Sequence, residues 1–191
     1  LNEYDAPHTC GRDIVREFVD ECNAQGIVPF FYHTLLDWWH PDFNTNFKSY
    51  LKYLRDSVGL LCQNYGKIGG IWFDGMWSKP NEDWEEDALY GMIRGYQPDA
   101  MIINNTGLSA RGALGHIELD SVTFERGKPG AINMEGAPKY VASEMCQTMN
   151  EHWGYAENDF CYKSLESLIE DFCVCRRFGS NFLLNVGPMG N

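Results

Sequence analysis

The chain has 191 residues, 44% hydrophobic and 14% aromatic, enough to bury the core of one medium domain and too apolar for a disordered segment. Its formal charge of -12 repels phosphate, which argues against nucleic acid and against anionic membrane surfaces as partners. No apolar run reaches the ~20 residues that a membrane-spanning helix needs.

The opening "LNEYDAPHTCGRD" has neither the basic start nor the apolar stretch of a signal peptide. It also lacks an initiating Met, and the chain stops abruptly at "NVGPMGN". Both ends read as cuts in a longer polypeptide. Residues 11–26, "GRDIVREFVDECNAQG", place Ile14, Val15, Phe18, Val19 and Cys22 at helical spacing with charges opposite. "IVPFFYHT" (27–34) is continuous and apolar, the pattern of a buried strand. The helical spacing returns through 46–66 and ends at Gly66. "KIGGIWFD" (67–74) reads as a strand, 83–99 as a helix closed by Pro98, and "AMIINN" (100–105) as a strand. Residues 106–138 are glycine-rich and irregular, the composition of a long functional loop. A helix is expected near "PKYVASEMC" (138–146), a second over 164–179, and a last strand at "NFLLNVGP" (181–188). Strands separated by helices of this length imply parallel pairing, hence a (β/α) barrel or a doubly wound sheet. There is no GxGxxG or P-loop to favour a nucleotide site.

The seven cysteines form no CxxC pair and sit mostly in apolar helical contexts, so they read as buried, reduced thiols of a cytoplasmic protein. The five histidines form no HxxxH or HxH pair, and no metal site is expected.

The informative residue is Asp74, a carboxylate at the end of an apolar strand. One reading is a cap on the following helix. The other is catalysis, because active sites of parallel barrels lie at the C-terminal ends of the strands. Neighbouring strand ends also carry polar groups: Tyr32, His33 and Thr34 on one, Trp72 and Asp74 on the next, Asn104 and Asn105 on the third. Trp38, Trp39 and Trp77 fall on the loops that follow these strands, where core packing explains them poorly. Aromatic faces pack on the C–H patches of sugar rings, and carboxylates bind the hydroxyls. Glycoside hydrolysis requires a second carboxyl group, ~5 Å from the first in a retaining enzyme. Glu118, Asp120, Glu125, Glu135 and Glu144 are the candidates, and spacing does not choose among them.

Several segments resemble, in order, those of the α-L-fucosidases of glycoside hydrolase family 29. "IWFDG" (71–75) resembles the nucleophile motif, "IRGYQPDAMIINN" (93–105) and "SEMCQTMNEHWGY" (143–155) match two further segments, and "GSNFLLNVGP" (179–188) is close to the family's "GGNyLLNvGP". The resemblance implies one partial (β/α)8-type TIM barrel over 1–191, with strands 1–3 lying before Leu1. It implies a retaining hydrolase that releases α-L-fucose from fucosylated oligosaccharides or glycoconjugates without metal or organic cofactor. Asp74 stands at the nucleophile, and "ELDSVTFER" (118–126) points to Glu125 as acid/base, with Glu144 as the alternative. Trp72, Tyr32 and His33 match sugar-pocket positions; Trp38, Trp77 and Asn105 are further candidates for substrate binding. The sequence departs from the family at Thr106, where an arginine is common, and at Ser143, where a tryptophan is common. The rival readings are a non-catalytic sugar-binding barrel and a glycosidase acting on another sugar.

Overall fold

The computed structural model describes residues 5–189. In chain order its elements are α1 (Ala6–Cys10), α2 (Ile14–Ala24), β1 (Phe30–Thr34), α3 (Asp42–Thr45), α4 (Phe47–Asn64), β2 (Gly70–Asp74), a 3-10 turn (Met76–Ser78), α5 (Glu86–Tyr96), β3 (Met101–Asn104), β4 (Ser121–Glu125), β5 (Ala142–Thr148), α6 (Leu165–Arg177) and β6 (Asn181–Asn185). The protein is mixed α/β, with a six-stranded sheet in the order β1-β2-β3-β4-β5-β6. The chain divides into two compact units, Leu1–Ile102 and Ile103–Asn191.

In the first unit β1 and β2 are parallel, with Tyr32 opposite Trp72 and Thr34 opposite Asp74. Alternation along β2 decides what each side chain does. Ile71 and Phe73 are fully buried, and Trp72 and Asp74 point to the other face. Burying a side chain such as Phe73 contributes about 1.5–3 kcal/mol. Helix α4 starts at Asn46, whose side chain accepts from Ser49 N–H at 3.3 Å. It buries Tyr50, Leu51, Leu54, Val58 and Cys62, and α5 buries Leu89, Tyr90 and Ile93. The Tyr50 hydroxyl donates to the Leu35 carbonyl at 2.6 Å, which ties α4 to the exit of β1. Met101 N–H donates to Gly69 O at 2.8 Å and so aligns the start of β3 beside β2.

In the second unit the end of β3 pairs with β4, β4 with β5 and β5 with β6, all parallel. Helix α6 links β5 to β6 and is capped by Ser164, whose hydroxyl oxygen accepts from Ser167 N–H at 3.2 Å. The core gathers Val122, Phe124, Val141, Met145 and Cys175, with Leu114, Ile132, Met134 and Phe182 packed against it.

Several expectations are corrected. The strand expected over 27–34 is β1 at Phe30–Thr34, and it is not buried: Phe30, Tyr32 and Thr34 are exposed. The stretch 106–138 is not wholly irregular, because β4 lies inside it. Residues 142–148 form β5 rather than the end of a helix. In β5 Ser143, Glu144, Met145, Cys146, Gln147 and Thr148 are all buried, so both faces of the strand are covered. Its polar residues had masked the apolar run expected of a buried strand. The thiols also differ from expectation. Cys22, Cys62, Cys146 and Cys175 are buried, whereas Cys10, Cys161 and Cys173 are exposed. Burial pushes the Cys62 thiol up to about 11. Among the described residues no helix is long and apolar enough to cross a membrane.

Candidate active site

Each unit presents one carboxylate at the C-terminal end of a strand. In the first it is Asp74, the last residue of β2. Its Oδ2 accepts from the Tyr32 hydroxyl at 2.9 Å. Its Oδ1 accepts from Gly75 N–H at 2.9 Å and from the Trp77 indole N–H at 3.1 Å. Gly75 makes this possible. Its φ of +100° folds the chain back so that its own N–H meets the Asp74 side chain, and a Cβ there would lie 2.6 Å from Leu36 Cδ2. The 3-10 turn Met76–Ser78 then swings Trp77 round to the same carboxylate. Asp74 does not cap the following helix: α5 begins at Glu86 after Glu85. Donors on both oxygens hold the carboxylate in one orientation.

Tyr32 stacks on its register partner Trp72, with centroids 5.6 Å apart and planes 22° apart. Tyr32 and Trp77 remain exposed beside the carboxylate, so the acid is bordered by open aromatic surface. That pairing suits a ring with one apolar face and several hydroxyls. Trp38 and Trp39 are exposed on the loop after β1, where Asp37 Oδ1 accepts from the N–H groups of Trp39 and His40.

His33 is not brought to Asp74. It faces the opposite side of β1, with Nδ1–H donating to Thr34 O at 2.7 Å and Nε2 accepting from the Ser57 hydroxyl of α4 at 3.1 Å. Because a carbonyl can only accept, the proton sits on Nδ1. Burial pushes the His33 imidazole below its ordinary value, although the bond to Thr34 works the other way.

In the second unit the strand-end carboxylate is Glu125, the last residue of β4. Its Oε2 accepts from Asn105 Nδ2 at 2.8 Å. Asn105 is buried and its Oδ1 accepts from Gly107 N–H at 3.1 Å and from the Thr123 hydroxyl at 2.9 Å. The Glu125 carbonyl accepts from Arg111 Nε, which fixes the strand end from its backbone side. Glu144 is placed differently. It is 5% exposed, lies level with Thr123, and accepts from Asn181 Nδ2 at 2.7 Å at the first residue of β6. Asp120 is paired with Lys139 Nζ at 2.7 Å.

The predicted residues therefore separate. Tyr32, Trp72 and Trp77 gather at Asp74 and Asn105 gathers at Glu125; His33 faces the Ser57 side of β1, Trp38 is exposed on the loop after β1, and Glu144 is buried opposite Thr123. Thr123 was not foreseen. Its signal was its place two residues before Glu125, on the same face of a strand that the sequence reading had missed. Among the described residues one group has metal-ligand proximity: Glu151, Asp159 and Cys161 offer ligand atoms within 4.8 Å of one another. Asp159 is already engaged, because its Oδ2 accepts from the N–H groups of Glu151 and His152 and bonds the His152 ring at 2.8 Å. It organises the loop between β5 and α6.

A family model described as "Alpha-L-fucosidase" matches residues 2–191. The chain belongs to the alpha-L-fucosidase family. It is 27% identical to tissue alpha-L-fucosidase of Mus musculus over 95% of its own length and 40% of that protein's. It therefore spans about two fifths of the curated relatives that it matches. It is 30% identical to the solved alpha-L-fucosidase isoenzyme 1 of Paenibacillus thiaminolyticus, with a TM-score of 0.77 over 98% of this chain and 50% of that one. It shares its fold, at 22% identity, with an alpha-L-fucosidase of Lactobacillus casei solved with alpha-L-fucose product, with a TM-score of 0.75 over 97% of this chain and 62% of that one.

Proposed function

We propose that this chain carries the catalytic carboxylates of an alpha-L-fucosidase, a retaining glycoside hydrolase that releases α-L-fucose from fucosylated oligosaccharides or glycoconjugates. The observation that carries the reading is Asp74: a carboxylate held at a strand end by Tyr32, Gly75 and Trp77, with exposed aromatic rings beside it. Capping does not account for it, and a core would not leave Tyr32 and Trp77 open to solvent. The fucose bound as product by the Lactobacillus casei relative agrees with this substrate class.

The chemistry is a double displacement. An Asp74 carboxylate oxygen attacks the anomeric carbon while Glu125 gives its proton to the departing glycosidic oxygen. A covalent fucosyl-enzyme results. Glu125 then takes a proton from water, the water oxygen attacks the same carbon, and Asp74 leaves with the configuration of the sugar retained. Glu125 suits the acid/base role better than Glu144, because it ends its strand and is only partly buried, whereas Glu144 is enclosed.

The sheet belongs, in this reading, to a (β/α)8 barrel. Strand order without a reversal supports it, since a doubly wound sheet turns back on itself at a switch point. Both acids also end their strands, where barrel active sites lie. The direct test is turnover of 4-nitrophenyl α-L-fucoside by the intact protein. Asp74→Ala should lose at least ~10³ in turnover. Near-normal turnover in that variant removes Asp74 from the role.

A further inference from the structure

We infer that Thr123 and Asn105 form a positioning relay that assigns the two oxygens of Glu125: Oε2 is held as a permanent acceptor, and Oε1 is the oxygen that gives and takes the catalytic proton. The inference rests on the reading of Glu125 as acid/base.

It begins with the Asn105 amide, whose oxygen and nitrogen are interchangeable by shape alone. Here backbone chemistry fixes them. Gly107 N–H can only donate, and it points at Oδ1 from 3.1 Å, so that atom is the oxygen. The Thr123 hydroxyl, 2.9 Å from the same atom, must then donate to it as well. The other end of the amide is the NH2 group, and it donates to Glu125 Oε2 at 2.8 Å. Asn105 is 2% exposed and Thr123 is 1% exposed, so water does not readily replace either partner. An amide turned over would set its NH2 against Gly107 N–H and leave buried donors unpaired, at a cost of ~1–3 kcal/mol each.

An Oε2 that accepts an N–H cannot at the same time aim a proton along that line. Oε2 has a second lone pair, but a hydroxyl-type Oε2 is a weaker acceptor for the Asn105 N–H than a carbonyl-type one, so when Glu125 is protonated this bond favours the proton on Oε1. In the first step the Oε1–H bond breaks and the proton passes to the leaving oxygen, whose bond to the anomeric carbon breaks as the Asp74 oxygen bonds that carbon. In the second step a water O–H bond breaks, its proton returns to Oε1, and the water oxygen replaces Asp74. Oε2 stays on Asn105 throughout, so Glu125 need not rotate between acting as acid and acting as base. Thr123 touches neither sugar nor proton; it acts through Asn105.

A general acid matters most when the leaving group is poor, so the test is the leaving-group dependence of kcat/KM in the intact protein. The probes are aryl α-L-fucosides running from 2,4-dinitrophenyl to phenyl. Thr123→Val removes the hydroxyl at nearly constant shape, and Thr123→Ser keeps it. Thr123→Val should lose about tenfold with the phenyl fucoside and less than about twofold with the dinitrophenyl one. Thr123→Ser should follow the parent on both, and thermal melting of each variant checks folding. Glu125→Ala reads the underlying assignment and should lose at least ~10² on the phenyl fucoside alone. A steep Glu125→Ala series beside a Thr123→Val series that falls equally on every substrate, or not at all, overturns the relay and leaves the acid/base in place. A flat Glu125→Ala series overturns both.

Discussion

The Tyr32 hydroxyl donates to Asp74 Oδ2 at 2.9 Å, across the parallel pairing of two strands whose residues 32 and 72, and 34 and 74, stand opposite each other. The bond joins neighbouring strand ends through one carboxylate. The same ring stacks on Trp72, so one residue both holds the acid and extends the aromatic surface beside it.

Removing that hydroxyl should cost activity with little loss of fold. A hydrogen bond to a charged acceptor is worth about 1.5–3 kcal/mol. Tyr32→Phe keeps the ring and its stack, and at this exposed edge water replaces the hydroxyl in the folded state, so kcat on 4-nitrophenyl α-L-fucoside should fall about tenfold while the melting temperature falls by no more than about 4 °C. Steady-state kinetics with calorimetry on the same sample checks both halves.

Gly75 should be irreplaceable for a backbone reason. Its φ is +100°, and a methyl group there would lie 2.6 Å from Leu36 Cδ2. Gly75→Ala should destabilise by about 2–5 kcal/mol, strain and crowding together, and should move the N–H that Asp74 accepts. Gly66 is the control: its φ is +76° but nothing lies within 4 Å of an added methyl. Gly66→Ala should cost only about 1–2 kcal/mol and leave turnover unchanged. Urea unfolding of the two variants separates strain alone from strain with crowding.

The two glutamates should separate cleanly on mutation. Glu144→Gln keeps an acceptor for Asn181 Nδ2 in the same volume, and turnover should remain within about threefold of the parent. Glu125→Gln should lose at least about 10² on poor leaving groups. The reverse order of effects would move the acid/base role to Glu144.

How legible this was in the sequence varies by element. Asp74 could be read because an apolar run ended on it and Gly75 followed. Strand alternation sets its neighbours Tyr32 and His33 on opposite faces, Tyr32 toward Asp74 and His33 toward Ser57. Strand β5 was misread for a physical reason. Val141 and Met145 stand four apart, as on a helix, and Ser143, Glu144, Gln147 and Thr148 are buried polar groups that no apolar-run rule anticipates. Strand β4 is only five residues long and follows a glycine-rich stretch, so its apolar residues gave a weak signal. With β4 unrecognised, Thr123 had no face to share with Glu125.

His33 should make stability depend on pH. Burial holds its imidazole below the ordinary 6.5 in the folded protein. Above 6.5 both the folded and the unfolded states carry it neutral, and its full contribution is present. As pH falls below 6.5 the unfolded chain takes up the proton first, so stability drains away until pH passes the lower folded value. His33→Gln removes this term. The stability gap between parent and variant should shrink from pH 7.5 to pH 5.5 in urea titrations; a constant gap would show that His33 titrates alike in both states.

The most direct measurement is to trap the intermediate on the intact protein with 2-deoxy-2-fluoro-α-L-fucosyl fluoride and map the adduct by peptide mass spectrometry. The mass of one fluorofucosyl group should appear on the peptide that contains Asp74 and be absent from the Asp74→Ala variant. An adduct on any other carboxylate, or hydrolysis of the reagent with no adduct at all, would contradict Asp74 as the nucleophile.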